Sequence, residues 1–158
     1  MDAVIVGKDG KWYSSKNAVL NPDGSVVAKH FPSSVRYRAT VVVMCDGKLL
    51  LVRDKGRRDF SMPGGGFKKG ESTVQAGVRE LCEEVGGLTV LSVERLRHCD
   101  IMGQRAMHKV CRVVVEGTPY VRQYHEIDKV VWWDMESPLP VQGHVEYVLG
   151  VLRGVHNG

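Results

Sequence analysis

Short apolar runs separated by Asp-Gly pairs fill the first part of the chain. That alternation predicts β structure, because Asp-Gly favours tight turns whose central residues take positive φ. Strands are expected at residues 4–7, 11–13, 18–20 and 25–29, with turns at Asp9-Gly10 and Asp23-Gly24. Residues 1–34 are too few for a separate domain. This N-terminal β-hairpin extension is therefore expected to pack on the main body or on a second subunit, as in a homodimer. From Tyr37 the pattern strengthens: YRATVVVMC, the pair Asp46-Gly47 and KLLLVRD read as a hairpin of continuously apolar strands, buried on both faces of a sheet. The polar stretch RDKGRRDFSMPGGGFKKG, residues 53–70, reads as a loop around a glycine cluster. Residues 72–85 then shift to helical spacing. Residues 88–96, 107–115 and 129–133 read as strands, and 141–152 as a closing amphipathic helix. The order places residues 35–158 in one α/β domain.

The helix carries the chemistry. In RELCEEVGG, residues 79–87, Glu80, Glu83 and Glu84 stand at i, i+3 and i+4, so they share one narrow face. Val74, Val78, Leu81 and Val85 make a separate apolar stripe, which leaves one face to dock on a sheet and the other to present carboxylates. Ala76 and Gly77, on and beside the carboxylate face, are expected to leave room for a bulky ligand. A charged helix face alone usually means only solubility. Like charges at this spacing nevertheless destabilise a helix, and no lysine between Gly70 and Gly87 relieves them. A hard divalent cation such as Mg²⁺ turns the repulsion into attraction, since it takes oxygen ligands and shares them with substrate phosphates. Ahead of the helix, Pro63-Gly64-Gly65-Gly66 allows backbone to approach a phosphate closely.

Composition changes this picture little. The chain has 158 residues, 43% hydrophobic and 25% charged, which suits one ordinary globular domain with a core of its own. A net charge of +4 is mild, and basic residues cluster only in RDKGRRD, residues 53–59, so no nucleic-acid polymer is expected as a partner. Within that run Arg53, Lys55, Arg57 and Arg58 could meet a substrate phosphate or only solvent. Cys45, Cys82, Cys99 and Cys111 lack Cys-x-x-Cys spacing, which argues against zinc; they are expected to be reduced and mostly buried. The opening MDAVIVGKDGKWY has no long apolar run, so neither a secretion signal nor a membrane anchor is expected, and the cytoplasm is the expected compartment. Trp132 and Trp133 alternate on a strand, one facing the core and the other free to stack on a base. His98 and His108 are isolated and read as structural.

Residues 65–87, GGFKKGESTVQAGVRELCEEVGG, resemble the signature of the Nudix hydrolases, Gly-x5-Glu-x7-Arg-Glu-(aliphatic)-x-Glu-Glu-x-Gly-(aliphatic). Gly65, Glu71, Arg79, Glu80, Leu81, Glu83, Glu84 and Gly86 match; Gly87 stands where an aliphatic residue is usual. The approach FSMPGGG and the later EIDKVVWW are similar to that family too. The resemblance implies an α/β/α sandwich with a mixed sheet between the signature helix and a C-terminal helix. It implies Mg²⁺ as cofactor, with Mn²⁺ as a substitute. Glu83, Glu84 and the Gly64 carbonyl become metal ligands, and Glu80 a ligand or the general base. Glu126 aligns with a loop carboxylate that some members use as a further ligand or base. Gly65, Glu71, Arg79 and Gly86 become structural, Arg79 bracing Glu71 rather than neutralising the helix glutamates.

The activity implied is hydrolysis of a nucleoside diphosphate joined to another group. The segment CDIMGQRAMH has neither the proline of ADP-ribose-cleaving members nor the tyrosine of those acting on dinucleoside polyphosphates. That favours a nucleoside triphosphate, oxidised ones included, over ADP-ribose or a nucleotide sugar. A non-catalytic nucleotide sensor is the reading from another class, although such domains usually lose signature glutamates. A prenyl diphosphate isomerase would need a cysteine context that is absent here.

Overall fold

The computed structural model describes residues 4–6, 12–14, 36–103 and 106–154. Strands β1 (Val4–Val6) and β2 (Trp12–Ser14) pair antiparallel, with Ile5 opposite Tyr13. The strands expected at 18–20 and 25–29 lie outside the described residues. β3 (Tyr37–Cys45) and β4 (Lys48–Asp54) form the hairpin read from the sequence. At its turn Asp46 has φ 51° and Gly47 φ 75°, the paired positive values that a two-residue hairpin turn matching the strand twist requires.

Next come β5 (Gly64–Gly66), α1 (Thr73–Glu84) and β6 (Val85–Arg95). A 3-10 turn at Arg97–Cys99 leads to β7 (Ile101–Met102), β8 (Met107–Val121), β9 (Ile127–Trp133) and α2 (Gly143–Leu152). Seven strands make one sheet in the order β6-β8-β3-β4-β9, with β5 added to β3 and β7 to β8. β3 and β8 run parallel and the other pairings are antiparallel, so the sheet is mixed.

Alternation along the central strands divides the core in two. Val41, Val43, Leu50, Val52, Cys111 and Val113 face α1, meeting Leu81 and Val85. Val42, Leu49, Leu51 and Val110 face α2, meeting Val145, Val148 and Leu149. A sheet buried on both faces between two helices is the α/β/α sandwich expected, and it explains why β3 and β4 read as unbroken apolar runs. Both tryptophans join the core, one on each side: Trp132 packs under α1 and Trp133 under α2. Each keeps part of its surface exposed, and the indole N–H of Trp133 donates to the Ser137 carbonyl at 2.8 Å.

Three readings change. The glycine cluster taken for loop is strand β5, pairing Gly64 with Thr40 and Gly66 with Arg38. β6 and β8 outrun their apolar segments, since backbone pairing continues from Val85 opposite Val121 to Arg95 opposite Cys111. Of the four free cysteines, Cys99 and Cys111 are buried, whereas Cys45 and Cys82 are half-buried.

Candidate active site

The start of α1 is fixed by a capping box: the Ser72 hydroxyl accepts from the Gln75 N–H at 3.1 Å, and the Gln75 side chain accepts from the Ser72 N–H at 2.9 Å. This sets the phase of every residue along the helix. Ala76 and Gly77 are buried against the sheet and leave no room for a ligand: a Cβ on Gly77 would lie 2.6 Å from Cys111 Sγ. Their small size serves close helix-to-sheet approach, and the glutamate face begins one turn further on.

Arg79 ties that surface together. Its Nε and Nη2 donate to the two carboxylate oxygens of Glu71 at 2.7 and 2.8 Å, and Nη2 also donates to the Gly66 carbonyl at 2.9 Å. With the Lys68 N–H adding a bond at 2.6 Å, these contacts hold the Glu71 carboxyl down at about 2. Arg79 does more than brace Glu71, however. Its Nη1 donates to Glu80 at 2.9 Å and to Glu83 at 3.3 Å, so the same guanidinium is also a counter-ion of the helix glutamates.

The three glutamates differ sharply in setting. Glu83 is the most open, its side chain 39% exposed. Glu80 points back over β5, where a Cβ on Gly65 would come within 2.4 Å of its carboxylate. Glu84 is only 5% exposed and accepts one long bond, 3.2 Å, from the Gly64 N–H. Burial pushes its carboxyl up to about 8 despite the opposing charge of Arg38. The Gly65–Glu80 contact gives a direct test. Because the obstructing atoms end a flexible side chain, Gly65→Ala should keep its thermal midpoint while displacing the Glu80 carboxylate, lowering kcat by about a hundredfold. A normal kcat in that variant would remove Glu80 from the machinery.

The β8–β9 loop caps the helix end. The N–H groups of Arg122 and Gln123 donate to the Glu84 carbonyl at 2.8 and 3.3 Å, and Arg122 Nη1 donates to the Cys82 carbonyl at 2.6 Å. Glu126 lies in this loop, its own carbonyl accepting from the Lys55 N–H at 2.8 Å. Its side chain is exposed and makes no hydrogen bond or ion pair with the helix glutamates. Gly86 packs under the Tyr120 ring, and Gly87, the departure from the signature, takes φ 84° as the helix turns directly into β6.

Other residues of the site were not singled out from the sequence. Arg38 donates Nη1 to Thr40 Oγ1 and Nη2 to the Met62 carbonyl, each at 2.8 Å, beneath the Gly64 backbone. A bulge between Arg53 and Asp54, where β4 meets β9, breaks the register just before Asp54. Arg38 and Asp54 both act electrostatically on Glu84 and both line a cavity of about 550 Å³ between the sheet and the start of α2. Ser61, His108 and His144 line it as well. The available signal was parity: Arg38 falls in step with Thr40 and Val42 on the α2 face of β3. Of the basic loop, Arg53 pairs with Asp128 at 2.8 Å and Arg57 with Asp59 at 3.0 Å.

Among the described residues, no three carboxylate, imidazole or thiolate groups stand ready-made as a coordination shell. The donors nevertheless suit a hard cation. Two carboxylates already share one positive group, Arg79 Nη1, and the third is buried with a single weak donor.

The NUDIX domain model matches residues 35–148. The chain belongs to the Nudix family. Nudix domains hydrolyse pyrophosphate bonds, and so does this enzyme. Solved Nudix structures share its fold. A nudix hydrolase family member from Chromobacterium violaceum aligns at TM-score 0.64 and 24% identity, over 80% of this chain and 82% of that one. The MutT NUDIX hydrolase from Burkholderia pseudomallei gives 0.62 and 22%, over 72% and 95%. A bifunctional NMN adenylyltransferase/ADP ribose pyrophosphatase from Francisella tularensis, complexed with AMP and Mn ion, gives 0.56 and 18%, over 75% of this chain and 41% of that one. Comparison with curated proteins gives no match. Among the described residues of this Nudix enzyme, no helix is long and apolar enough to cross a membrane.

Proposed function

We propose that this Nudix enzyme is a Mg²⁺-dependent pyrophosphohydrolase that converts a nucleoside triphosphate, oxidised ones included, to the monophosphate and pyrophosphate. The observation that carries this reading is the meeting of Glu80 and Glu84 with the Gly64–Gly66 backbone, Glu83 being tied to the same strand through Arg79, beside a cavity joined to them through Arg38 and Asp54. Glu80, Glu83, Glu84 and the Gly64 carbonyl are the groups that would hold Mg²⁺, or Mn²⁺ in its place. A bound cation supplies positive charge to the phosphate oxygens and makes water a better nucleophile.

The chain's own residues do the rest. Arg79, anchored by Glu71 and Gly66, keeps Glu80 and Glu83 together and limits their freedom. Glu80 or Glu126 takes the proton of the attacking water. Glu80 is already held close to the glycine strand, whereas Glu126 needs a swing of its exposed side chain. The cavity on the α2 side receives the nucleoside. A triphosphate is preferred because residues 99–108 carry neither the proline nor the tyrosine marker of the other substrate classes.

The test is incubation with Mg²⁺ and a panel of triphosphates, dinucleoside polyphosphates, ADP-ribose and nucleotide sugars, with product identification. Pyrophosphate release from a triphosphate is the expected outcome, and chelation of the metal should abolish it, with Mn²⁺ restoring it. Cleavage confined to ADP-ribose, the substrate named for the Francisella tularensis relative, would overturn the triphosphate assignment. Binding without turnover of any compound would favour a sensor.

A further inference from the structure

We propose that Ser61 is a specificity-determining residue: its hydroxyl, with the free ring N–H groups of His108 and His144, reads acceptor oxygens on the nucleobase of the substrate. The inference rests on the pyrophosphohydrolase reading and adds the class of base. Ser61 exchanges both backbone hydrogen bonds with Val52, at 2.8 and 2.9 Å, so its position is fixed. It is 2% exposed, yet its Oγ has no partner. A buried hydroxyl without a partner is costly, and a chain that keeps one on a cavity wall has a use for it.

The two histidines supply the direction of reading. The Met62 N–H donates to His144 Nε2 at 3.3 Å, which puts the ring proton of His144 on Nδ1. Thr40 Oγ1 accepts from Arg38 and therefore has its own hydrogen to give. His108 Nδ1 is 2.7 Å away and, in this proposal, receives that hydrogen, with the proton of His108 on Nε2. Burial holds both rings neutral, depressing His108 to about 4 and His144 to about 2. The rings stack with centroids 4.3 Å apart, which locks their orientation. Among the described residues, neither Nε2 of His108 nor Nδ1 of His144 has a protein partner.

This end of the cavity thus offers two uncharged N–H donors of fixed tautomer and one hydroxyl. Ring carbonyls answer it, as in guanine, uracil and oxidised purines. The exocyclic amine of adenine brings a donor to a donor and leaves both unpaired. Asp54 and Asp59 line the cavity too; Asp54 acts on Glu84, and Asp59 is already taken by Arg57 at 3.0 Å and Gln142 at 3.5 Å.

The experiment measures kcat and KM of wild type and Ser61→Ala on GTP, UTP and ATP with Mg²⁺, and Kd for GMP, UMP and AMP without metal. Wild type should favour GTP and UTP over ATP by at least about tenfold in kcat/KM, a discrimination that one unpaired polar group can supply. Ser61→Ala should lose most of that preference through KM, with kcat within about twofold. The variant should unfold no earlier than wild type, because the hydroxyl it lacks has no partner inside the protein. A clearly lower midpoint would make Ser61 structural, and an unchanged base preference would remove it from recognition; either overturns the proposal. If wild type hydrolyses no triphosphate, the functional reading fails separately, and the monophosphate affinities still decide the role of Ser61.

Discussion

Replacing Glu83 by glutamine is expected to lower kcat about a thousandfold while leaving the fold in place. Glu83 is the natural choice because the architecture depends on it least. Its side chain is 39% exposed and its contacts to Arg79 are both 3.3 Å, so the pair is loose and screened. Arg79 keeps its bonds to Glu71, Gly66 and Glu80 when Glu83 loses its charge. Glutamine has nearly the same shape, so only the charge offered to a cation changes. A thousandfold corresponds to about 4 kcal/mol of transition-state stabilisation, within what a metal centre contributes. Single-turnover hydrolysis at saturating Mg²⁺, beside a thermal midpoint within about 2 °C of wild type, is the measurement. A kcat within tenfold of wild type would take Glu83 out of the metal site. Glu84→Gln is a poorer probe: Glu84 is buried, and its raised carboxyl pKa means that stability responds to the change as well.

Features that depend on near neighbours in the chain were legible from the sequence. The Asp46-Gly47 turn and the spacing of Glu80, Glu83 and Glu84 are each decided within a few residues, and the structure places both where the pattern did. The rest depends on what meets what across the fold. Gly64–Gly66 reads as a flexible loop until β3 lies beside it. Ala76 and Gly77 read as open space until Cys111 fills it. Arg38, Asp54 and His144 arrive from β3, from a bulge at the end of β4 and from α2, and no spacing links them. His108 looked isolated because its stacking partner comes from the far end of the chain.

That histidine pair leads to a second large effect, an acid-sensitive fold that substitution of His144 should relieve. The folded pKa of His144 is depressed to about 2 by burial and by the nearby His108 and Arg38, against about 6.5 for the unfolded chain. Below pH 6.5 the unfolded chain binds a proton that the folded protein refuses, so the stability present above 6.5 is lost as pH falls. The loss amounts to roughly 1.4 kcal/mol per pH unit, or about 2 kcal/mol by pH 5. Glu84 acts in the opposite sense: its folded carboxyl pKa of about 8 makes the metal-free protein gain stability as pH falls from 8 towards 4.5. A single pH profile therefore mixes these two with His108, itself depressed to about 4, and comparison with His144→Gln isolates the part due to His144. Glutamine is neutral throughout, its side-chain carbonyl can accept the Met62 N–H, and Glu84 is common to both proteins. In urea unfolding at pH 7.5, 6 and 5, wild type should lose stability relative to the variant by about 2 kcal/mol between the first and last condition. A difference that stays constant with pH would mean that His144 titrates in the folded protein as it does in the unfolded chain, and the fixed tautomer at the cavity wall would fall with it.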